Sequence, residues 1–450
     1  MVGRVAWALS LAWTVVLLGA CTDTRYSNQI TVEVASDEPG AGPGSTSTPG
    51  TSNPIQPGTS NTVQPGTPDD PGCERGVWEG DVIPNDVPYL EGYTTIAGSV
   101  YLEERFVREP FEPWSDLEAL SCVRRIEGGL VVEGFTALND LAGLDALVEV
   151  VGDVRLARSG LTSLRGLDRL AVVGGQLTLT GNAALERVEL PALTRVQGDL
   201  VVSGMASLER LSGLGALARV QGLLVRDNAA LTDIDGLNGL GEVAALRVRD
   251  NPSLVAISGL EALARVEDEV WVQGNPRLRR VSGLSNLSEV GDDIVWRDLP
   301  ALEGLGGLSR LAEVGGSLTL AEAPRLAHVD GLSGLTSVSH LALTNLASLE
   351  DVDGLIGLTA VGGLDIQGNP ALRDLDGLAS LTSAEIVTIT YNDALSGVGG
   401  LSNLTSLDTL TLYGRSLCQE EVDALVLALM DRLEGDAVID ARGSASCEAP

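Results

Sequence analysis

The sequence of 450 residues has no lysine, two histidines and few aromatic side chains. Its 29 basic residues are therefore all arginine, which we attribute to codon usage in a GC-rich genome and not to function. Phe, Trp and Tyr make up 3% of the chain, whereas glycine occurs 54 times. This composition is typical of a protein built from tight turns and aliphatic side chains, and it disfavours the core of a globular enzyme.

The sequence motifs of common catalytic sites are also missing. His328 and His340 lie neither in an HExxH spacing nor beside a cysteine pair, as zinc ligands would. The chain has no GxSxG, GxxxxGK[ST] or GxGxxG motif. We therefore expect that the protein is not an enzyme and uses no cofactor or metal, and that both histidines are solvated.

The charge of the chain is strongly one-sided. Acidic residues outnumber basic ones, 62 to 29, which gives a formal net charge of −33. A surface this acidic repels phosphate backbones, so we do not expect a nucleic acid partner. After residue 20, no apolar run is long enough to span a bilayer.

One segment is repeated along most of the chain. It runs from Leu161 to Ala184 and reads LTSLRGLDRLAVVGGQLTLTGNAA. Successive copies begin 23 or 24 residues apart, at Leu185, Leu208, Leu231, Leu254, Leu278, Leu302, Leu326, Leu349, Leu372 and Leu395. Such a fixed period is the signature of a repeat architecture.

The spacing of apolar residues changes within each repeat. Leu161, Leu164 and Leu167 are three apart, which fits a tight 3₁₀-like turn, whereas Leu177 and Leu179 are two apart, which fits a strand. A unit this short cannot bury its own apolar face, so the copies must stack strand on strand. The sequence thus predicts a repeat solenoid of about 12–13 coils with a parallel β-sheet and short turns.

Two polar or small residues recur at fixed places in the repeat. Asparagine often follows the strand, where its amide can satisfy backbone groups of a neighbouring coil. These asparagines are Asn182, Asn228, Asn251, Asn275, Asn369 and Asn392. A glycine marks a corner that needs either a positive φ or space for a close approach. These glycines are Gly166, Gly213, Gly236, Gly259, Gly283, Gly331, Gly354 and Gly377.

The unit LxxLxGLxxLxxVxGxLxVxxNxx resembles the leucine-rich repeat. The VGG or VQG step before the strand, as in Val173-Gly174-Gly175 and Val196-Gln197-Gly198, makes it most similar to the receptor L-domain of the insulin and epidermal growth factor receptors. The resemblance covers residues 117–416. It implies a stack of parallel strands, and ligand binding by analogy.

The N-terminal region predicts export and anchoring. Residues 1–20 contain Arg4 and then an apolar run, as in a secretory signal peptide, and Leu18-Gly19-Ala20-Cys21 resembles a bacterial lipobox. We expect Cys21 to carry lipid, and ordinary cleavage with a spare Cys21 thiol is the alternative. Thr22 is compatible with sorting to the outer membrane. Residues 21–72, rich in Pro, Gly, Ser and Thr, then form a disordered tether.

Both ends of the repeat array need a cap, because a solenoid end exposes core. Residues 73–122 hold seven of the 15 aromatics and predict an N-terminal cap with one irregular coil. Residues 417–450 predict a C-terminal cap with an amphipathic helix, for which Ser416 and Gln419 have a capping-box spacing.

Four cysteines remain, two in each cap, and three pairings are formally possible. With caps about 60 Å apart at ~4.8 Å per coil, bridges between the caps are too long. We expect disulfides within the caps, between Cys73 and Cys122 and between Cys418 and Cys447, in an oxidising compartment.

One group of outward-facing strand residues stands out in this acidic chain. It combines arginines with a tryptophan, the residue types that anchor interfaces, and an aromatic beside polar groups also suits a sugar ring. The group comprises Arg226, Arg247, Arg249, Trp271, Gln273 and Arg297. The alternative is a surface charge ladder in which these arginines pair with Asp227, Asp250 and Asp298.

A second group is acidic. Asp330, Asp353 and Asp376 recur at one repeat position, beside Asp351 and Asp374. The sequence Asp351-Val352-Asp353-Gly354 resembles part of a calcium loop, but the third Asp and the distant Glu of that loop are missing. Solvated turns are the favoured interpretation.

These features together predict a monomeric, lipid-anchored protein that is displayed at the cell surface and binds a protein or glycan through the outward face of its sheet. Two alternatives remain open. Polysaccharide lyases also use parallel β-coils with acidic and arginine residues on one face, and the protein could instead be a passive envelope spacer.

Overall fold

The computed structural model describes residues 72–107, 117–433, 435 and 437–444. These residues belong to one compact unit, Val63–Pro450. The predicted signal peptide, Cys21, nearly all of the predicted tether and Cys447 lie outside the described residues. Within the described part, no helix is long and apolar enough to cross a membrane.

The main sheet is one open ladder of parallel strands, in which each strand pairs with the corresponding strand of the next coil. Its strands are Val100–Glu103, Leu130–Glu133, Val154–Ala157, Leu177–Thr180, Leu200–Ser203, Gly222–Arg226, Ala245–Arg249, Val270–Gln273, Ile294–Arg297, Glu313–Ala321, Ser337–Thr344, Ala360–Gln367, Ser383–Thr390, Thr409–Cys418 and Val438–Ser444. The structure is a parallel-strand solenoid of about 14 turns, which confirms the predicted fold class.

A row of two-residue strands precedes the main strands in the N-terminal and central coils. They are Val77–Trp78, Thr95–Ile96, Arg125–Ile126, Glu149–Val150, Val172–Val173, Arg195–Val196, Glu242–Val243, Arg265–Val266 and Glu289–Val290. From Glu313 onward the two rows fuse into single long strands. Two further two-residue strands, Ala256–Ile257 and Arg280–Val281, pair with each other at another corner of two central coils.

The remaining corners are turns or short 3₁₀-helices, as the three-residue leucine spacing predicts. The 3₁₀-helices are Pro84–Tyr89, Glu104–Phe106, Glu118–Leu120, Gly306–Leu308, Asp330–Leu332, Asp353–Leu355, Asp376–Leu378 and Gly399–Leu401. The leucines of these corners and the inward strand residues share one core. Leu167, Leu177 and Leu179, for example, are completely buried.

The glycine position is explained by a close approach between coils. At each of the eight repeat glycines, a Cβ would overlap backbone atoms of the preceding coil. Of these eight glycines, only Gly166, Gly213 and Gly259 have a positive φ. Lack of space is therefore the requirement that all the repeats share, and the backbone conformation is an additional requirement at three of them.

The asparagines form a buried ladder, and their side-chain amides bind backbone groups of neighbouring coils, as predicted. All six are 0% exposed. Asn251 shows the pattern, because its Oδ1 accepts from the backbone N of Asn228 at 3.1 Å and its Nδ2 donates to the Val225 carbonyl at 3.1 Å. Each amide thus replaces backbone partners that the chain loses where it leaves the sheet.

The N-terminal cap contains the predicted disulfide between Cys73 and Cys122, whose Cα atoms are 5.3 Å apart. Trp78 and Tyr93 pack edge to face with ring centroids 5.4 Å apart. These two aromatics therefore serve packing, as expected for a cap. Cys447 is not described, so the second bridge stays a prediction.

The single described α-helix, Gln419–Arg432, closes the C-terminal end. Val422, Leu425 and Leu429 on its inner face are buried in the shared core. The predicted capping box is wrong, because Cys418 is the N-cap residue and makes no side-chain capping bond. The Ser416 hydroxyl instead donates to the Asp393 carbonyl of the preceding coil.

Candidate functional site

Four adjacent strands bring the predicted arginine and tryptophan residues together. The register aligns Arg226 with Arg249, Arg249 with Gln273, and Gln273 with Arg297. In the neighbouring row, Arg247 is aligned with Trp271. These side chains all point outward from the sheet, because inward and outward residues alternate along a strand. We call the surface formed by Arg226, Arg247, Arg249, Trp271, Gln273 and Arg297 the Arg–Trp surface.

The centre of the Arg–Trp surface is a cation–π pair. The guanidinium carbon of Arg249 lies 5.5 Å from the centroid of the Trp271 ring. Trp271 Nε1 donates to Gln273 Oε1 at 2.9 Å, which fixes the orientation of the indole. Among the described residues, Arg249 has no ion pair, and its buried Nε has no hydrogen-bond partner. This arginine is therefore held by the aromatic ring and not by a carboxylate.

The other three arginines do form ion pairs. Arg226 pairs with Asp227 at 3.4 Å, Arg247 with Glu269, and Arg297 with Glu322 at 3.0 Å. The predicted alternative was a charge ladder in which these arginines pair with three aspartates. Among the described residues, only Asp227 of these aspartates forms such an ion pair. Arg247 and Arg297 reach acids of the following coil instead, because stacked coils bring residues 22 to 25 positions apart within contact distance.

Asp298 has a different role from the predicted one. It accepts a hydrogen bond from Gln273 Nε2 at 3.0 Å. Its interaction with the Glu322 side chain, the Gln273 bond and the charge of Arg297 together hold the pKa of Asp298 below its ordinary value of 3.8, against the effect of burial. Asp298 therefore orders Gln273, the residue that in turn orients Trp271.

An apolar row that we did not predict runs through the same surface. The register aligns Val201, Leu224, Arg247, Trp271 and Val295 across five coils, and the four apolar members are half-buried on the outer face. The signal in the sequence is the loss of alternation in segments such as LVV and LLV, where the outward position is also aliphatic. Together with the arginines, this row makes the surface both apolar and cationic.

A shallow groove of about 610 Å³ borders the Arg–Trp surface. Pro276, Pro300 and Pro324 line it, with Asp298 and Glu322 among its polar residues. The prolines recur at one position in three successive coils. Since Asp298 binds Gln273 and Glu322 binds Arg297, the groove and the Arg–Trp surface are continuous.

The acidic group lies at corners away from these strands. Asp330, Asp353 and Asp376 are the first residues of three successive 3₁₀-helices. Burial, and then the charges of the neighbouring carboxylates, raise the pKa of Asp353. Within the described residues, no group of three or more His, Cys, Asp or Glu side chains is placed to hold a metal ion.

Both histidines lie at the surface. His328 Nδ1 is 2.9 Å from Asp351 Oδ2, and half of its side chain is exposed. His340 lies on the outer face of a strand, with Nε2 4.0 Å from Asp365 Oδ2. Both histidine side chains therefore lie beside an aspartate and are partly exposed to solvent.

Comparison with known proteins gives matches among solved structures only. No family model and no curated protein matches the chain. A leucine-rich-repeat protein of Leptospira interrogans is 15% identical with a TM-score of 0.28, covering 75% of this chain and 95% of that one. TLR13, in its complex with ssRNA13, is 14% identical with a TM-score of 0.14, covering 74% of this chain and 64% of that one.

These TM-scores are too low to carry an argument about function. The fold is established by the geometry of the chain itself, which combines a parallel strand ladder, a leucine core and a buried asparagine ladder. The described part of the chain is a leucine-rich-repeat-like solenoid.

Proposed function

We propose that the chain is a surface-displayed binding protein that recognises a partner protein through the Arg–Trp surface. The observation that carries this proposal is the Arg249–Trp271 pair, an arginine without an ion pair among the described residues that stacks on a half-buried indole. Tryptophan and arginine dominate the binding energy of protein interfaces, most of all where apolar neighbours exclude water from them.

The surroundings of the pair favour a protein partner. Leu224 and Val295 extend the apolar row on either side, and Arg226 and Arg297 lie at its margin as ion-paired, exposed charges. An apolar centre with a polar rim is the usual anatomy of a protein interface. The adjoining proline-lined groove adds a concave edge where a partner side chain can insert.

The proposal includes lipid anchoring, and the sequence supports it. The signal-like residues 1–20 end at Cys21 in a lipobox-like context, and the Pro- and Ser-rich residues 21–72 are suited to a tether. The disulfide between Cys73 and Cys122 fits an oxidising compartment such as the periplasm or the cell surface. The resemblance of the repeats to the receptor L-domain is consistent with ligand binding.

The proposal is tested by capture from the surfaces of the producing cells and of neighbouring cells. The immobilised full chain should retain a specific protein, and changing both Arg249 and Trp271 to alanine should weaken retention at least about tenfold. Stability should change by no more than about 1 kcal/mol, because both side chains lie on the outer face.

Arg155→Ala is the matched control. Arg155 also lies on the outer face of the main sheet, several coils away, and pairs with Glu133 at 3.1 Å. Its loss should leave retention intact. Equal retention by the double variant and the unmodified chain would remove the Arg–Trp surface from the proposal.

The same purified chain distinguishes the enzyme and spacer alternatives. Incubation with polysaccharides should yield no shortened products if the chain is a binder. Turnover would show an enzyme, and failure to retain any surface component would favour a spacer.

A further inference from the structure

A second cluster of aromatic and arginine side chains lies near the C-terminal end of the main sheet. Tyr391, Tyr413, Arg415 and Arg442 line a cavity of about 460 Å³, together with Asp393. The cavity falls within the range of small-molecule sites. Its strands are separate from those of the Arg–Trp surface.

Tyr391 has an unusual backbone conformation for its size. Its φ is +60°, in the left-handed region that bulky side chains rarely adopt. The positive φ belongs to the repeat, because the equivalent position in other coils has it too, whether it holds a glycine such as Gly368 or a side chain such as Arg158, Glu322 or Asn345. Tyr391 is 77% exposed, so its ring is not used for core packing and is open to a ligand.

Tyr413 is held in a fixed position beside the cavity. Its hydroxyl donates to Asp440, whose other carboxylate oxygen accepts from Arg442 Nε at 3.1 Å. The guanidinium of Arg442 also lies 5.7 Å from the centroid of the Tyr413 ring. The ring, the carboxylate and the guanidinium therefore contact one another as one group.

The charges around the cavity are balanced. Arg442 is paired with Asp440, and Arg415 lies 3.6 Å from Asp393. An anion would have to compete with these carboxylates, so the cavity disfavours phosphate, sulfate or carboxylate ligands. It offers instead two phenol rings together with neighbouring hydrogen-bond donors and acceptors.

We propose that this cavity binds a neutral sugar ring. A pyranose presents an apolar C–H face that packs on an aromatic ring, and hydroxyl groups that both donate and accept hydrogen bonds. Tyr391 and Tyr413 supply the aromatic surfaces, and the paired arginines and aspartates supply the polar partners. This site is independent of the Arg–Trp surface, so either proposal can fail without the other.

The test is ligand-observed NMR with the full chain and neutral methyl glycosides of glucose, galactose, mannose and N-acetylglucosamine. At least one glycoside should bind, and glucuronate and inorganic phosphate should bind more weakly. Tyr391→Gly should weaken binding about tenfold. Its melting temperature should be unchanged or higher, because glycine adopts a positive φ without strain.

Asn345→Gly is the matched control. Asn345 has a φ of +56° at the same repeat position but does not line this cavity, so its replacement should leave sugar binding unchanged. The proposal is overturned if no glycoside binds, if only the anions bind, or if Tyr391→Gly binds the glycoside as well as the unmodified chain does.

Discussion

At the scale of single residues, the ion pairs connect one coil with the next. Arg219 pairs with Glu242, Arg265 with Glu289 and Arg297 with Glu322. The same stacking also brings equal charges together wherever one repeat position is acidic in successive coils. Stacking in register therefore determines whether a surface charge stabilises or destabilises the fold.

The aspartates of the 3₁₀-helices illustrate the destabilising case, and Asp353→Asn tests it. Partial desolvation, and then the charges of neighbouring carboxylates, raise the pKa of Asp353 above its ordinary value of 3.8 in the folded state. Its contribution to stability is therefore present below that value and lost as the pH rises through the folded pKa. The variant should be more stable near neutral pH, by about 0.5 kcal/mol or less because Asp353 is exposed.

Thermal unfolding of both proteins as a function of pH measures this difference. The stability gain should shrink in acid, where the unmodified Asp353 is already neutral, and it should also shrink at high salt. A gain that is the same at every pH would contradict the charge explanation.

The buried asparagines illustrate the stabilising case, because their side chains bind backbone groups of the neighbouring coil. Asn251→Ala leaves the backbone N of Asn228 and the carbonyl of Val225 without their side-chain partners. Since both groups are at a buried site, we expect the free energy of unfolding to fall by about 2–4 kcal/mol. Chemical denaturation measures the loss.

Asn403→Ala is the control for the buried asparagine. Asn403 also donates to a carbonyl of the preceding coil, that of Ala379, but this bond is exposed. Water can replace it, so the loss should stay below about 1 kcal/mol. Equal losses in the two variants would show that burial of the amide is unimportant.

The sequence predicted the members of the Arg–Trp surface but not their interactions. Alternation along a strand is enough to place Arg249 and Trp271 on the outer face. The stacking of Arg249 on Trp271, however, depends on side-chain conformations across two coils. Tyr391 was missed because its repeat position holds residues as different as Gly, Asp, Asn, Arg and Glu, so the sequence gives no signal that a cavity lies beside it.

At the scale of elements, the type of each element was easier to predict than its boundary. The leucine spacings predicted both the strands and the tight turns, because these periodicities arise from backbone geometry. The helix Gln419–Arg432 was predicted from its apolar face, but its start was not, since the Ser416 hydroxyl binds a carbonyl of the preceding coil. Contacts between coils thus override local capping preferences.

The close approach at the corners is tested by two adjacent glycines. In the 3₁₀-helix Gly306–Leu308, a Cβ at Gly307 would overlap the Val281 carbonyl, whereas a Cβ at Gly306 has no atom within 4 Å. Gly307→Ala should therefore lower the free energy of unfolding by about 2–4 kcal/mol, and Gly306→Ala should change it little. Denaturant titration of the two variants measures the contrast, and similar stabilities would argue against steric limits on coil spacing.

At the scale of the whole molecule, the repeats define one continuous core, which both caps protect. This architecture was predictable because one pattern recurs many times, so local ambiguities in single copies do not affect it. The function of the N-terminal region was inferred from its composition and the lipobox-like segment alone. Testing this inference therefore requires an experiment on intact cells.

Cys21→Ser provides that experiment. Acyl chains contribute about 0.8 kcal/mol per buried CH₂, and several chains together give stable anchoring. The unmodified chain should fractionate with membranes and incorporate labelled fatty acid, whereas the variant should do neither. Membrane association of the variant without label would mean that another part of the chain binds the membrane.

The strand ladder also sets a distance on the outer face. Six strand spacings separate the strand of Trp271 from that of Tyr413. At ~4.8 Å per strand, this separation is about 30 Å. A single glycoprotein or long polymer that reaches both places would bind bivalently, since its second contact forms at a high effective concentration. Two individually weak contacts would then together slow the dissociation of the ligand. A ligand shorter than this span would gain no avidity.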